Sequence, residues 1–281
     1  MNKQLFDCII HHVKLNCPNQ RKPKYTPEYY LTNIVDLLTD FVKWSSLKKS
    51  VNYNNKFKYH YKTIADVHKL WSDKGIYKKA YNECVQKHVI GEGDKCINLL
   101  VDSTLIINKS GIEGIGYGTK CHKKKFTKLT AISTLDTENV AIIVDTVYTK
   151  DIKLSNEKTM TIKTLSHDVK NIVPVIEDLR QTVPDDIKIN LYGDKGYAML
   201  KDDKTKLLKS HNVKLVNVKK SNQKKKNTKK EEKILKHRYK VENMFARIKA
   251  YNRVHVRRDK TLACYMGFVY IACIVQFGKI N

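Results

Sequence analysis

The stretch Ile97-Asn98-Leu99-Leu100-Val101-Asp102 decides the fold. It is a short apolar run ending in a carboxylate, and it follows a change of composition at Gly91-Glu92-Gly93-Asp94, so it predicts the first strand of a second domain. Downstream, Lys128 to Leu135 and Val140 to Tyr148 are β-branched runs separated by Asp136-Thr137-Glu138-Asn139. A helix is expected near Asp168 to Arg180, then strands at Ile187 to Tyr192 and Val213 to Val218. In a three-strand meander followed by a helical crossover, strand four packs beside strand one. Asp194, just past strand four, would then meet Asp102.

This order predicts an α/β fold, a ribonuclease-H-like mixed sheet flanked by helices over residues 95–281. A small all-α domain precedes it over residues 1–94. There, Thr26-Pro27 reads as an N-cap followed by Pro at the first helical position, and Leu31, Ile34, Val35, Leu37, Leu38, Phe41 and Val42 recur at helical spacing. Thr63 reads as the cap of a second helix that stops at Gly75, and a third fits Tyr77 to His88. Such short helices are compatible with a helix-turn-helix unit that contacts DNA, and equally with a plain scaffold. Lys219 to Lys233 has no apolar residue and reads as a mobile loop, either a solvated surface or a contact to the DNA backbone, followed by helices over about 231–252 and 261–279.

Across 281 residues, 54 Lys and Arg face 28 Asp and Glu, a net charge of +26 that favours polyanions and makes nucleic acid the default partner. Part of the lysine excess is also what an A+T-rich coding bias would give. The N-terminus does not begin a signal peptide, and the most apolar segment, Leu262 to Phe277, carries Gln276, so it reads as a core helix. An intracellular protein without a membrane span is expected. Seven cysteines at irregular spacing argue against a disulfide framework. Cys8, His11, His12 and Cys17 could in principle ligate zinc, but they lack the paired spacing of zinc fingers and read as a partly buried helical surface.

Carboxylates carry the expected chemistry. Two Mg²⁺ ions about 4 Å apart can neutralise charge on the attacking and leaving oxygens of a phosphodiester. Such hard ions need oxygen ligands brought together from separate elements. Asp102 and Asp194 are two candidates, and Glu242 is a third on a helix. At 100° per residue, Arg238, Glu242 and Lys249 fall within about 40° of one another, a stripe of one carboxylate flanked by two cations. Arg238 and Glu242 alone would also fit an ordinary i,i+4 surface pair.

Five blocks resemble, in order, those of bacterial insertion-sequence transposases with a DDE domain. They are Val101-Asp102-Ser103-Thr104, Gly118-Thr119-Lys120-Cys121-His122, Ser166-His167-Asp168, Gly193-Asp194-Lys195-Gly196-Tyr197, and Arg238-x3-Glu242-x6-Lys249. The helical region ending in Trp71-Ser72-Asp73-Lys74-Gly75-Ile76-Tyr77 is similar to the N-terminal domain of the same enzymes. The resemblance implies cleavage of double-stranded DNA at transposon ends and strand transfer by the freed 3′-hydroxyl, with action as a homodimer on two ends. It also implies Asp102, Asp194 and Glu242 as catalytic residues and ligands of Mg²⁺ or Mn²⁺, with Arg238 and Lys249 as DNA contacts. Leu235 stands where the family has a Tyr that contacts the DNA terminus, which leaves end recognition and hairpin handling open.

Other residues have two readings. Lys120 and His122 could approach DNA or belong to a polar hairpin. His167 and Asp168 could serve the site, or Asp168 could simply cap the following helix. Lys195 and Tyr197 read as shaping the turn after Asp194. Arg257, Arg258 and Lys260 read as phosphate contacts. The competing functions are a decayed or domesticated relative that binds DNA without cutting it, and a ribonuclease-H-like nuclease of repair or RNA processing.

Overall fold

The computed structural model describes residues 3–17, 26–40, 43–49, 60–90, 95–118, 121–145, 147–153, 159–219 and 226–277. By its internal contacts the chain forms two compact units. One comprises Met1–Cys84, Lys109–Glu113 and Arg247–Asn281; the other comprises Val85–Asn108 and Gly114–Ala246. Grouped in this way, the C-terminal helix falls with the N-terminal helices and not with the sheet.

The second unit contains the sheet. Its strands are β1 (Cys96–Asn108), β2 (Gly116–Gly118), β3 (Cys121–Ser133), β4 (Asn139–Val144), β5 (Val147–Lys153), β6 (Thr159–Leu165), β7 (Lys188–Gly193) and β8 (Val213–Asn217). Neighbours run in the order β5-β6-β2-β3-β1-β7-β8, with β4 also paired to β3. In the central part, β3 lies antiparallel to β1 and β4 antiparallel to β3, while β7 runs parallel to β1 and β8 parallel to β7. That 4-3-1-7-8 arrangement is the ribonuclease-H-like order. Leu99, Leu100 and Val101 are all buried, as a strand covered on both faces requires.

The expected meander is thus present, with additions. β1 runs six residues beyond Asp102, and the single expected strand from Val140 to Tyr148 breaks at Asp145. The break has a polar cause, because the Asp145 carboxylate is taken by the Thr130 hydroxyl (2.6 Å) and the Asn171 amide (2.8 Å). The hairpin of β5 and β6 was not foreseen, since its Lys- and Thr-rich sequence shows little apolar alternation. Thr nonetheless favours extended backbone.

Of the helices, α1 (Lys3–Asn16), α2 (Pro27–Thr39), α3 (Tyr61–Asp73), α9 (Asn252–His255) and α10 (Leu262–Phe277) lie in the first unit. α4 (Ile76–Val89) lies there through Cys84. Thr26 caps α2 through its hydroxyl, with Pro27 next, as expected. α3 starts earlier than expected, capped by His60 in place of Thr63, and Gly75 ends that hairpin at φ +65°. α10 packs so closely on α3 that a Cβ on Gly267 would lie 2.6 Å from the Ser72 hydroxyl oxygen. No helix among the described residues is long and apolar enough to cross a membrane.

The sheet unit holds α5 (Ile172–Arg180), α6 (Lys201–His211), α7 (Lys229–Leu235) and the first residues of α8 (Tyr239–Lys249). The expected loop at 219–233 requires correction. Residues 220–225 lie outside the described residues, but 229–233 are helical. The reason is a capping box that composition alone hides: the Thr228 hydroxyl accepts from the Glu231 amide, and the Glu231 carboxylate accepts from the Thr228 amide. The single helix expected over 231–252 is likewise α7, a 3-10 turn at Lys236–Arg238, and α8.

Candidate active site

Asp102 lies in β1 opposite Ala131 of β3, and β1 pairs β7 up to Leu100 beside Tyr192. Continuing that parallel register by two residues sets Asp102 beside Asp194. Its carboxylate accepts from the Ser103 amide at 2.8 Å. Burial raises its pKa to about 6. The Ser103 amide and the Arg238 charge oppose that rise, while the negative charges of Asp194 and Glu242 add to it.

Asp194 opens a 3-10 turn at the end of β7, and its carboxylate accepts from the Gly196 amide at 2.6 Å. Both glycines of Gly193-Asp194-Lys195-Gly196-Tyr197 are required by close approach. A Cβ at Gly193 would stand 3.0 Å from both the Tyr197 ring and the Val101 side chain. One at Gly196 would press on carboxylate oxygens of Asp168 at 2.8 Å and Asp194 at 2.9 Å.

Glu242 lies in the first turn of α8 and is exposed. Arg238, in the turn just before α8, reaches both acids: one guanidinium nitrogen is 3.5 Å from Asp194 and another 3.7 Å from Glu242. Two carboxylates from separate elements therefore flank a single guanidinium, whose charge also reaches the Asp102 carboxylate. Their donor chemistry fits a hard divalent cation, which would compensate like charges that one Arg leaves in excess.

Behind them lies a network that sequence reasoning largely missed. Lys128, 11% exposed, bonds Asp168 at 2.5 Å and the Ser166 carbonyl at 3.0 Å, and pairs with Asp145 at 3.0 Å. The Ser103 hydroxyl donates to Asp168 at 2.6 Å and shares a hydrogen bond with the Tyr197 hydroxyl at 3.0 Å. Burial acts to raise the Asp168 pKa, but hydrogen bonds from Lys128 and Ser103 outweigh it and hold the carboxyl below its usual range. The expectation that Asp168 caps a helix is therefore corrected. His167 occupies the cap position without a side-chain bond, and Asp168 faces Ser103 and Lys128. The missed signal was a lysine inside an apolar strand, which needs a carboxylate when buried.

The remaining expected residues are dispersed. Lys120 lies outside the described residues, as does the side chain of His122, whose backbone belongs to β3. Lys249 is half-buried at the end of α8, and burial lowers its pKa. Arg258 and Lys260 are exposed, whereas Arg257 is fully buried. Its guanidinium donates to the carbonyls of Glu113 (2.6 Å), Lys260 (3.1 Å) and Asp259 (3.2 Å). A phosphate contact at Arg257 is thus replaced by a structural role. Leu235 lines an open cleft of about 410 Å³ with Lys219, Lys226, Glu232 and Lys236.

The family model described as the transposase DDE domain matches residues 97–275. Over 41 residues the chain is 42% identical to a Brucella ovis protein named for the transposase of insertion sequence element IS6501. That match covers 15% of this chain and 32% of the relative, so the chain spans about a third of that relative's length. Among solved structures, a piggyBac transposase synaptic complex with hairpin DNA is 11% identical with a TM-score of 0.47, covering 97% of this chain and 71% of that one. A Drosophila P element transposase strand transfer complex is 10% identical with a TM-score of 0.29, covering 75% and 45%.

Proposed function

Because the chain belongs to the transposase DDE domain family, we propose that it is a DNA transposase that cuts transposon ends and joins them to target DNA through Asp102, Asp194 and Glu242. The observation that carries this reading is the meeting of Asp194 and Glu242 on Arg238, within electrostatic reach of Asp102, whose carboxyl is raised by burial and further by those two acids. A protein that only binds phosphates has no use for three crowded acids beside them. Enzymes of this family depend on a divalent metal; here we assign Mg²⁺ or Mn²⁺, two ions, to Asp102, Asp194 and Glu242. When bound, the ions neutralise charge on the attacking and leaving oxygens of the phosphodiester.

The chain's own groups prepare that geometry. The Ser103 and Gly196 amides each hold one carboxylate oxygen of Asp102 and Asp194, so the other oxygen of Asp102, and that of Asp194 which now faces Arg238, would be the ones to hold a cation. Arg238 supplies a planar cation suited to a scissile phosphate. Water adds across the P–O3′ bond, leaving a 5′-phosphate and a 3′-hydroxyl. That hydroxyl then attacks a target phosphodiester, loses its proton to solvent and expels a new 3′-hydroxyl. Exposed Arg258 and Lys260, with Lys249 and the segment containing Lys120 and His122, are proposed to hold the DNA backbone, and His167 to stand beside the cut strand. Pairing of two ends would call for a homodimer.

The test is cleavage of the cognate end, identified from inverted repeats in the DNA flanking the gene, with Mg²⁺ or Mn²⁺. Asp102→Asn, Asp194→Asn and Glu242→Gln should each lose on the order of a thousandfold in rate, the several kcal/mol that metal-borne charge stabilisation supplies. Binding to the end should change little. Wild-type cleavage by any variant would remove that residue from the site, and binding without cleavage by the wild type would favour a decayed DNA-binding relative.

A further inference from the structure

We propose that the helical unit holds a structural Zn²⁺ site built from Cys8 and His12 of α1 and Glu83 and Cys84 of α4. The ligand atoms of Cys8, His12 and Glu83 all lie within 4.8 Å of one another. His12 Nε2 is 2.9 Å from a Glu83 carboxylate oxygen. The Cys8 thiol donates to the Ala80 carbonyl at 3.7 Å and also interacts with the neighbouring Cys84 thiol, which offers a fourth donor beside the cluster. Cys8 and His12 are four residues apart on one helix, so they project from one face. Glu83 and Cys84 are consecutive, and the longer Glu reaches past its neighbour to His12.

Two thiols, an imidazole and a carboxylate form a donor set that zinc takes in tetrahedral sites. Metal–ligand distances of 2.0–2.3 Å imply donor separations of about 3.5 Å, so Cys8, His12 and Glu83 need to contract by only about 1 Å, and the Cys84 thiol has to swing toward them to complete the set. Binding would replace the two thiol protons, which pass to solvent, and would turn the hydrogen bonds among these side chains into metal bonds. The spacing considered from sequence, with His11 and Cys17, is not the one the fold brings together: His11 is exposed, and the second pair comes from α4, some seventy residues away. The gain is a clamp between the first and last helices of the N-terminal segment, added to the burial of Leu5, Ile9, Ile10 and Val13 of α1 and the bonds of Lys74 and Lys79 to Asn16.

This site is independent of the catalytic assignment, and its test distinguishes the two. The full-length chain, purified with a non-chelating reductant, is titrated with Co²⁺ and then Zn²⁺ alone. We expect one equivalent of Co²⁺ to give a thiolate charge-transfer band and the strong visible bands of a tetrahedral ion, both lost on adding Zn²⁺. A cation held only by Asp102, Asp194 and Glu242 gives no thiolate band. Cys8→Ser and His12→Gln should each weaken Zn²⁺ binding by more than the 10–100-fold typical of an outer-shell partner, while His11→Gln should leave it unchanged. Zn²⁺ should also raise the Tm of the wild type and not of His12→Gln. Absence of the thiolate band in folded wild-type protein would overturn the proposal. So would equal affinity in His12→Gln, or a Cys8–Cys84 disulfide that forms in air with no Zn²⁺ taken up by the reduced chain.

Discussion

The helical unit and the sheet unit treat their ionisable groups in opposite ways. In the helical unit the buried Arg253 and His68 meet partners made for them. Arg253 pairs with Asp259 at 2.5 Å, both nearly inaccessible, and its guanidinium lies over the Phe268 and Trp44 rings. His68 is held neutral: its Nε2 donates to the Cys264 carbonyl, so its Nδ1 accepts from the Tyr77 hydroxyl, and burial lowers its pKa to about 3. In the sheet unit Lys128 is matched by two carboxylates, but Asp194 and Glu242 share one guanidinium at distances beyond a good hydrogen bond, and Asp102 adds a third acid within reach of their charge. The Arg253–Asp259 pair is settled by folding, whereas Asp102, Asp194 and Glu242 remain unsettled until a cation arrives, and that contrast separates a scaffold contact from a site.

The largest test of the contrast is Arg253→Met. It strands the Asp259 carboxylate in the core and should cost about 3–5 kcal/mol of stability by denaturant unfolding, since an uncompensated buried charge is left behind. A loss under about 1 kcal/mol would mean that the pair is not the settled contact described.

Opposite pH slopes come next. Below its unfolded value of 6.5, His68 takes up a proton only on unfolding, so the stability it contributes is complete above pH 6.5 and erodes as pH falls toward 3. For Asp102 the folded value lies above the unfolded one, so metal-free stability falls as pH rises from 3.8 to about 6 and is level beyond. Hydrogen exchange, corrected for its intrinsic pH dependence, should therefore show protection of α3 lost on acidification and protection of β1 gained. Asp102→Asn should flatten the β1 slope and raise metal-free stability at neutral pH by about 1 kcal/mol. Parallel slopes in the two units would break the contrast. The smallest effect is Thr228→Ala, which removes the capping box of α7 and should cost about 1 kcal/mol. No change in stability or in α7 exchange would return residues 229–233 to the loop read from sequence.

The central sheet was legible because burial on both faces writes a continuous apolar run such as Leu99-Leu100-Val101, and the connection rules then dictate which strand lies beside it. The carboxylate pair followed from that topology. What stayed hidden depends on contacts distant in sequence. Nothing near Lys128 announces Asp145 or Asp168, and Arg257 looks like a surface cation until Glu113 is folded against it. Capping also competes with composition, as the helical turn at 229–233 illustrates. The donor cluster of Cys8 and His12 is hidden for the same reason, its other half lying on α4.

The central claim is that Asp102, Asp194 and Glu242 hold one metal centre. Iron(II) bound there in place of Mg²⁺, with ascorbate and peroxide, releases hydroxyl radicals that cut the nearest backbone. We expect three clusters of cuts in the metal-loaded chain, around residues 102, 194 and 242, all competed away by Mg²⁺ and all lost together in Asp102→Asn. Cuts at the two aspartates that persist while the segment at 242 stays intact would contradict the account, and would leave Glu242 as the surface partner of Arg238.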